Sequence, residues 1–305
     1  MAIVDPISLT ARWTAASRAV ESLREDRLYS DPYAEVLAGP EGFALKERME
    51  AARRPPGAES TQENPFLTIR TKFIDDCVGT TLATTTTRQV VLVAAGLDTR
   101  AFRLDWPTGT HVFELDRDEV LRAKAAMLEG LGAQRRCELH SIGVDLLDPW
   151  EAALLASGFD PSRPALWIIE GLLMYLDDAH AKAVLAQVSA LAAPGSTLVT
   201  DMLGASFFRS EWTQPLLRAL VAADAAWKFG CDRPEELLGS IGWVASVKRP
   251  GESGASFGRW PYPLRARGLP GKHQGQGNKY RNALHACTSG PGFLRYCSRI
   301  ALADQ

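Results

Sequence analysis

The chain has 305 residues, 34 Lys and Arg against 36 Asp and Glu, a formal net charge of −2 and 46% hydrophobic residues. That length can bury a full core, and the near-neutral charge gives no electrostatic case for nucleic acid or a membrane surface. No uninterrupted apolar stretch approaches the roughly 20 residues that span a bilayer, and residues 1–6 lack the basic and apolar blocks of a secretory leader.

In chain order, the first segment reads as a helix. Trp13, Ala16, Val20 and Leu23 recur on one face, with Arg12, Arg18, Glu21 and Arg24 largely elsewhere. Ser30-Asp31-Pro32 predicts a capped start with proline at the first helical position. Tyr33, Val36 and Leu37 then give an apolar face that Gly39-Pro40 should end. Arg53-Arg54-Pro55-Pro56-Gly57 is a breaker cluster, expected to form a mobile loop. A third helix is expected from Asn64-Pro65, with Phe66, Ile69, Phe73 and Cys77 at helical spacing, and a run of four threonines (residues 84–87) links it onward.

From Gln89 the pattern alternates. Apolar runs over residues 89–95, 110–115, 136–142, 165–170 and 196–200 predict five strands. Helices are expected over residues 118–131, from Asp148-Pro149, and through Leu191 after a cap at Asp177 or Asp178. Strand and helix in this repeated order predict a doubly wound parallel sheet. Helices near residues 211–225 and 234–239 and a strand over residues 243–248 follow. Residues 249–292 are rich in Gly, Pro and basic side chains, with no clean periodicity until Phe293-Leu294-Arg295-Tyr296. Three regions are expected: a helical lid over residues 1–87, an α/β core over 88–265 and an irregular tail over 266–305. Five scattered cysteines (Cys77, Cys137, Cys231, Cys287, Cys297), without a CxxC pair, predict neither a disulfide framework nor a zinc site. A reducing, cytoplasmic setting is expected.

The chemistry collects at the carboxyl ends of the strands, where open α/β sheets bind ligands. The run Gln89-Val90-Val91-Leu92-Val93 breaks at Gly96, where the chain turns tightly, and Thr99 stands where it can cap the next helix. Asp116 follows Gly96 by 20 residues, the offset of a carboxylate that holds ribose hydroxyls. Asp145 and Glu170 close the next runs. The turn Ala94-Ala95-Gly96-Leu97-Asp98 offers one glycine and places the Asp98 carboxylate where a dinucleotide would bring its phosphates, an unfavourable pairing. S-adenosylmethionine fits better: its sulfonium and ammonium are positive, it has no phosphate, and its one carboxylate suits an arginine. Taken singly, each acid reads as a helix cap or a solvated loop residue. The set, in this order, points to a ligand. Glu170 stands out, because it follows Trp167-Ile168-Ile169 and so lies at the mouth of a buried sheet, where a carboxylate needs a cationic partner.

These residues carry a resemblance. Residues 94–104, Phe113-Glu114-Leu115-Asp116, Val144-Asp145-Leu146 and Glu170-Gly171-Leu172-Leu173-Met174-Tyr175-Leu176 resemble the leucine carboxyl methyltransferase-like family, in its bacterial branch of S-adenosylmethionine-dependent methyltransferases. The resemblance spans residues 10–265. It implies a Rossmann-like class I methyltransferase fold with a helical N-terminal extension, its seven-stranded sheet mostly parallel with one antiparallel strand. It also implies that Arg70, in Ile69-Arg70-Thr71-Lys72-Phe73-Ile74-Asp75-Asp76, holds the methionine carboxylate and that Gly96 passes under the methionine, beside Asp98. By the same match Asp116 holds the ribose, Asp145 and Leu146 bracket the adenine, and Glu170 faces the amino group. Without the resemblance, Arg70 reads as an exposed helical arginine. Family members continue after a Trp260-Pro261-Tyr262-Pro263-like motif with a short segment and a final strand, and residues 272–305 do not resemble that ending. Either residues 293–300 supply a substitute strand, or the last strand is missing or re-routed.

Methyl transfer is an in-line displacement at the sulfonium carbon, helped chiefly by alignment. A carboxylate acceptor is ionised at neutral pH and needs no base, whereas a phenol does. None of His111, His140, His180, His273 and His285 sits in a catalytic motif, and His111 reads as a satisfied core or edge residue. The sequence therefore leans toward carboxyl O-methylation of a small molecule. Tyr175 is the catalytic candidate, orienting the acceptor through its hydroxyl, with core packing as the alternative. Trp13, Tyr33, Phe207, Phe208 and Trp212 are candidates for a lid over an aromatic or polyketide-like acceptor, as in secondary metabolism. Transfer to hydroxyl or nitrogen, and a non-catalytic nucleoside-binding module, remain open at this point. No metal, nucleic-acid or membrane partner is expected, and the oligomeric state is left unassigned.

Overall fold

The computed structural model describes residues 6–53, 64–261 and 295–302, with side chains up to residue 261 from Leu9 onward. Seven strands form one sheet: β1 (Gln89–Val93), β2 (His111–Asp116), β3 (Glu138–Gly143), β4 (Ala165–Ile169), β5 (Thr197–Met202), β6 (Trp243–Lys248) and β7 (Arg295–Leu302). Their order is β3-β2-β1-β4-β5-β7-β6. The first five run parallel, and β7 lies antiparallel between β5 and β6. The order reverses beside β1, and the site described below opens there.

β1 and β4 are buried at every residue, as central parallel strands covered on both faces must be. Successive side chains point to opposite faces. Val91, Phe113, Trp167 and Ile169 therefore pack in one core with Val184 and Leu185 of α7 (Asp178–Leu191) and Leu154 of α6 (Glu151–Ala156). Val90, Leu92, Val112 and Ile168 pack in another, with Ile69, Phe73 and Ile74 of α3 (Phe66–Thr84) and Leu216 and Leu220 of α8 (Gln214–Ala222). A third core joins Ala15 and Ala16 of α1 (Pro6–Ser22), Leu37 and Ala38 of α2 (Ala34–Arg53), Ala101 and Phe102 of the single turn α4 (Arg100–Arg103), and Leu128 of α5 (Asp118–Gly130). A short α9 (Pro234–Gly239) precedes β6. The first helices thus bear on the strand ends that build the site.

Several local expectations are corrected. Leu23 lies beyond the end of α1 and is 81% exposed. Val36 is also exposed, since Ala34, Leu37 and Ala38 take the inward face. Gly39-Pro40 does end the first helical run of α2, as expected. Gly39 takes φ 58°, ψ 176°, the helix kinks, and it resumes to Arg53. Proline suits a first helical turn, so the resumed half starts there. Thr99 occupies the position before α4, but its hydroxyl donates to Asp31 rather than capping. Asp98 does that work, accepting from the Arg100 amide at 2.6 Å. Asp177 caps α7 by accepting from the His180 amide at 2.9 Å. Of the two endings left open, the chain takes the first: β7 supplies a strand within the stretch expected to be irregular. Antiparallel pairing on both sides gives that segment's backbone the partners a tail would seek in water. The expected loop after Arg53, Tyr262-Pro263, His273, His285 and Cys287 lie outside the described residues. Among the described residues no helix is long and apolar enough to cross a membrane.

Candidate active site

A cavity of about 500 Å³ opens at the carboxyl ends of β1, β2 and β4, a size in the range of small-molecule sites. Arg70, Gly96, Asp98, Asp116, Asp145, Leu146, Glu170 and Tyr175 all line it. Residues far apart in the chain and singled out for ligand chemistry are brought together at one mouth.

The turn after β1 is shaped by its backbone. Ala94 and Gly96 take φ 62° and 49°, and Gly96 is the residue suited to that left-handed region. A side chain at Gly96 would make only ordinary contact, its Cβ 3.6 Å from the Ala11 Cβ. The glycine is required by conformation rather than by space. The turn aims the Gly96 amide at Asp116, which accepts it on Oδ2 at 2.7 Å and the Arg117 amide on Oδ1 at 2.8 Å. Two backbone donors thus fix the carboxylate, and each oxygen keeps a second lone pair. Burial raises the Asp116 pKa above its ordinary value, against the lowering effect of those two amides. Beyond β3, the exposed Asp145 accepts from the Leu147 amide at 2.9 Å, and Leu146 is half-buried beside the core.

Next to this turn lies a buried charge network. Arg70 of α3 donates from Nε to Glu170 Oε1 and from Nη1 to Asp201 Oδ2, each at 2.9 Å. Arg100 donates from Nη1 to Glu170 Oε2 at 2.8 Å, from Nε to Asp75 Oδ1 at 2.7 Å, and also bonds Asp98. Arg103 grips Asp75 through both terminal nitrogens, at 2.7 and 2.8 Å. Arg70, Arg100 and Arg103 thus face Asp75, Asp98, Glu170 and Asp201, three guanidiniums to four carboxylates. Burial pushes the Glu170 carboxyl up, but Arg100 and Arg70 outweigh it and hold it at about 2. Burial wins at Asp201, raising its pKa in spite of Arg70 and the Gly171 amide at 2.7 Å. Gly171, at φ 67°, lets the guanidinium approach: a Cβ there would sit 3.3 Å from Arg70 Nη1.

The structure therefore shows Arg70 and Glu170 paired with each other at the cavity wall, an arrangement that the separate roles implied by the resemblance do not describe. Asp116, with lone pairs to spare, suits the hydroxyls of an adenosine compound, and the guanidiniums and carboxylates interleaved beside it suit a group that carries both charges. The residues present fit S-adenosylmethionine.

On the far side of the cavity, Tyr175 is half-buried and meets Trp227 edge-on, with ring centroids 6.3 Å apart. Burial raises its phenol above the ordinary pKa, against hydrogen bonding from Thr10 and Trp227. Trp13, Phe66 and Trp227 also line the cavity. Of the expected lid aromatics only Trp13 does so. Tyr33 packs edge-on against Phe102 in the third core, Phe207 is buried beside Phe208, and Trp212 is 40% exposed. Each is claimed by a neighbour or by solvent before it can reach the cavity.

Sequence reasoning missed Asp75, Arg100, Arg103 and Asp201, and a second tie beneath the turn. There Arg18 donates to Asp31 at 2.8 Å and to the Leu97 carbonyl at 2.7 Å. Asp201 was findable, since it too ends an apolar strand, Thr197–Met202. Arg100 and Arg103 lie within the matched residues 94–104 and Asp75 within the motif around Arg70, but nothing in the sequence pairs them, because their partners come from other elements.

Comparison with known proteins agrees with the geometry. The family model for leucine carboxyl methyltransferase matches residues 11–189. A protein of Mycolicibacterium smegmatis bearing the name S-adenosyl-L-methionine-dependent methyltransferase is 35% identical over 263 residues, 83% of this chain and 88% of the relative. A protein of Frankia alni with the same designation is 38% identical over 258 residues, 82% and 87% of the two chains. Among solved structures, a DUF574 family protein from Streptomyces avermitilis covers 92% of this chain and 98% of its own, with TM-score 0.58 and 14% identity. A protein from Thermobifida fusca, named as a methyltransferase, covers 93% and 97%, with TM-score 0.54 and 17% identity. These two likenesses show the fold. The family match and the relatives show the rest: the chain belongs to the leucine carboxyl methyltransferase family and is an S-adenosylmethionine-dependent methyltransferase.

Proposed function

We propose that the enzyme methylates a carboxylate oxygen of a small, aromatic or polyketide-like metabolite. One observation carries this reading: among the described residues, the buried groups of the cavity wall, Tyr175 and Glu170, are not set to take a proton from an acceptor. Tyr175 has its pKa raised, so at neutral pH it keeps its proton and donates a hydrogen bond. Glu170 is held by two arginines. His180, the one histidine among the lining residues, bonds Asp177 at 2.8 Å, and both side chains are about half exposed, so this pair stands in solvent rather than on the buried wall beside Tyr175. An acceptor that arrives ionised needs no base, and a carboxylate does so.

In this reading Asp116 holds the ribose hydroxyls and Gly96 passes under the methionine. Asp145 and Leu146 border the adenine. Arg70 and Glu170 serve the methionine carboxylate and ammonium as one paired unit, with Asp98 alongside. Bound cofactor supplies an electrophilic methyl, and Tyr175 with Trp13, Phe66 and Trp227 aligns an oxygen lone pair behind it. The aromatic wall suits a flat or apolar acceptor. We also place the reaction in a reducing cytoplasm, in secondary metabolism, with no nucleic-acid or membrane partner.

The test is a turnover assay with methyl-labelled cofactor and a panel of aromatic and polyketide-like acids, phenols and amines. The expected product is a methyl ester that releases its label as methanol in mild base. Label retained in base-stable ethers or amines overturns the carboxylate assignment.

A further inference from the structure

At the opposite end of the sheet from the cavity, β2 and β3 begin side by side. Their parallel register pairs His111 with Glu138 and Phe113 with His140. Register partners share a face, and so do residues two apart, so His111, Glu138 and His140 project together. Their donor atoms all lie within 4.8 Å of one another. His111 Nδ1 is 3.1 Å from His140 Nε2 and 3.4 Å from a Glu138 oxygen.

We propose that His111, Glu138 and His140 bind a divalent transition-metal cation of the zinc type. Zinc bonds to imidazole nitrogen and carboxylate oxygen run about 2.0–2.2 Å, so two ligands at tetrahedral or octahedral angles stand roughly 2.9–3.5 Å apart. The separations of 3.1 and 3.4 Å fall in that interval. Two imidazoles and one carboxylate form a borderline donor set, which selects zinc, cobalt, nickel or copper over magnesium or calcium.

The ligands are also supported. The fully buried Phe113 ring stacks on His140 at 4.7 Å and 16° between planes, and His111 and His140 lie 18° apart. The remaining coordination positions face solvent, since the His111 and Glu138 side chains are 38% and 64% exposed. Because β3 is an edge strand paired, among the described residues, only with β2, a cation held by residues of both would clip that edge to the sheet. From His111 to Asp116 along β2 is roughly 16 Å, so this site is separate from the cofactor mouth.

The experiment is calorimetric titration of tag-free, full-length protein with zinc chloride, alongside cobalt(II) absorption spectra as a report of nitrogen ligation. Saturable binding of one equivalent is expected. His111→Ala and His140→Ala should each weaken it by about tenfold or more, and Glu138→Gln by less. Thermal unfolding should shift upward with zinc in the wild type and not in His111→Ala/His140→Ala. S-adenosylmethionine affinity should be unchanged in all variants, which also shows that they fold. Absence of saturable zinc binding in the wild type, or wild-type zinc affinity in the double variant, overturns the proposal.

Discussion

Arg70 and Glu170 stand 100 residues apart in the chain, yet their side chains meet at 2.9 Å on the cavity wall. Arg70 simultaneously neutralises Asp201, so one guanidinium ties α3 to the ends of β4 and β5. Removing one member of a buried ion pair leaves the other uncompensated and costs about 3–5 kcal/mol. Arg70→Ala should lower unfolding stability by that order, read from denaturant midpoints. Adding Asp201→Asn should recover part of the loss. Cofactor affinity should fall roughly 10- to 150-fold in the single variant and stay low in the double. Calorimetry separates the two effects, and wild-type affinity in Arg70→Ala would remove the carboxylate clamp.

Asp116 has no cationic partner of that kind; its position comes from two backbone amides. Asp116→Ala should weaken cofactor binding by about 1.5–3 kcal/mol, roughly 10- to 150-fold, through lost ribose hydrogen bonds. An unchanged dissociation constant would move the ribose elsewhere.

The acid limb of stability should carry the signature of Glu170. Its folded pKa of about 2 lies below the ordinary 4.5, so its contribution is complete above the higher value and is lost as pH falls toward the lower. Glu170→Gln should flatten the thermal-unfolding profile across that window. Asp201 has the opposite sign. Its pKa is raised in the fold, so acidification relieves a buried charge there. An unaltered profile in Glu170→Gln would show that the carboxylate is not held by its arginines.

Tyr175→Phe keeps the ring against Trp227 and deletes one donor. One neutral hydrogen bond is worth about 0.5–1.5 kcal/mol, so kcat/KM for the acceptor should drop roughly 2- to 13-fold with cofactor affinity unchanged. Steady-state kinetics with the best acid of the panel checks this. Full activity would leave Tyr175 as packing.

Much of this was legible in the chain. Strands buried on both faces advertise themselves as continuous apolar runs, and the acids after them (Asp116, Glu170) are found by position alone, as is Asp145 after the edge strand β3. Pairing is another matter. Nothing near Arg70 announces Glu170 and Asp201, because those contacts exist only once β4 and β5 lie beside α3. Arg100 stood inside the turn motif without a role, since its partner Asp75 lies 25 residues earlier on α3. Helix ends were read less well. Gly39-Pro40 does stop the first run of α2, but Leu23 lies past the end of α1 and Val36 faces solvent. The aromatic wall failed for the same reason: periodicity reports that a ring is covered, but not by what.

The late strand β7 has a kinetic implication. β6 touches the rest of the sheet only through β7, and the two are separated by 46 intervening residues. Closing so long a span costs chain entropy before any pairing rewards it. The five parallel strands, whose carboxyl ends carry Gly96, Asp116 and Glu170, can therefore assemble with α3 while β6 still waits for its neighbour. On that topology the pocket is expected to form before the border is sewn.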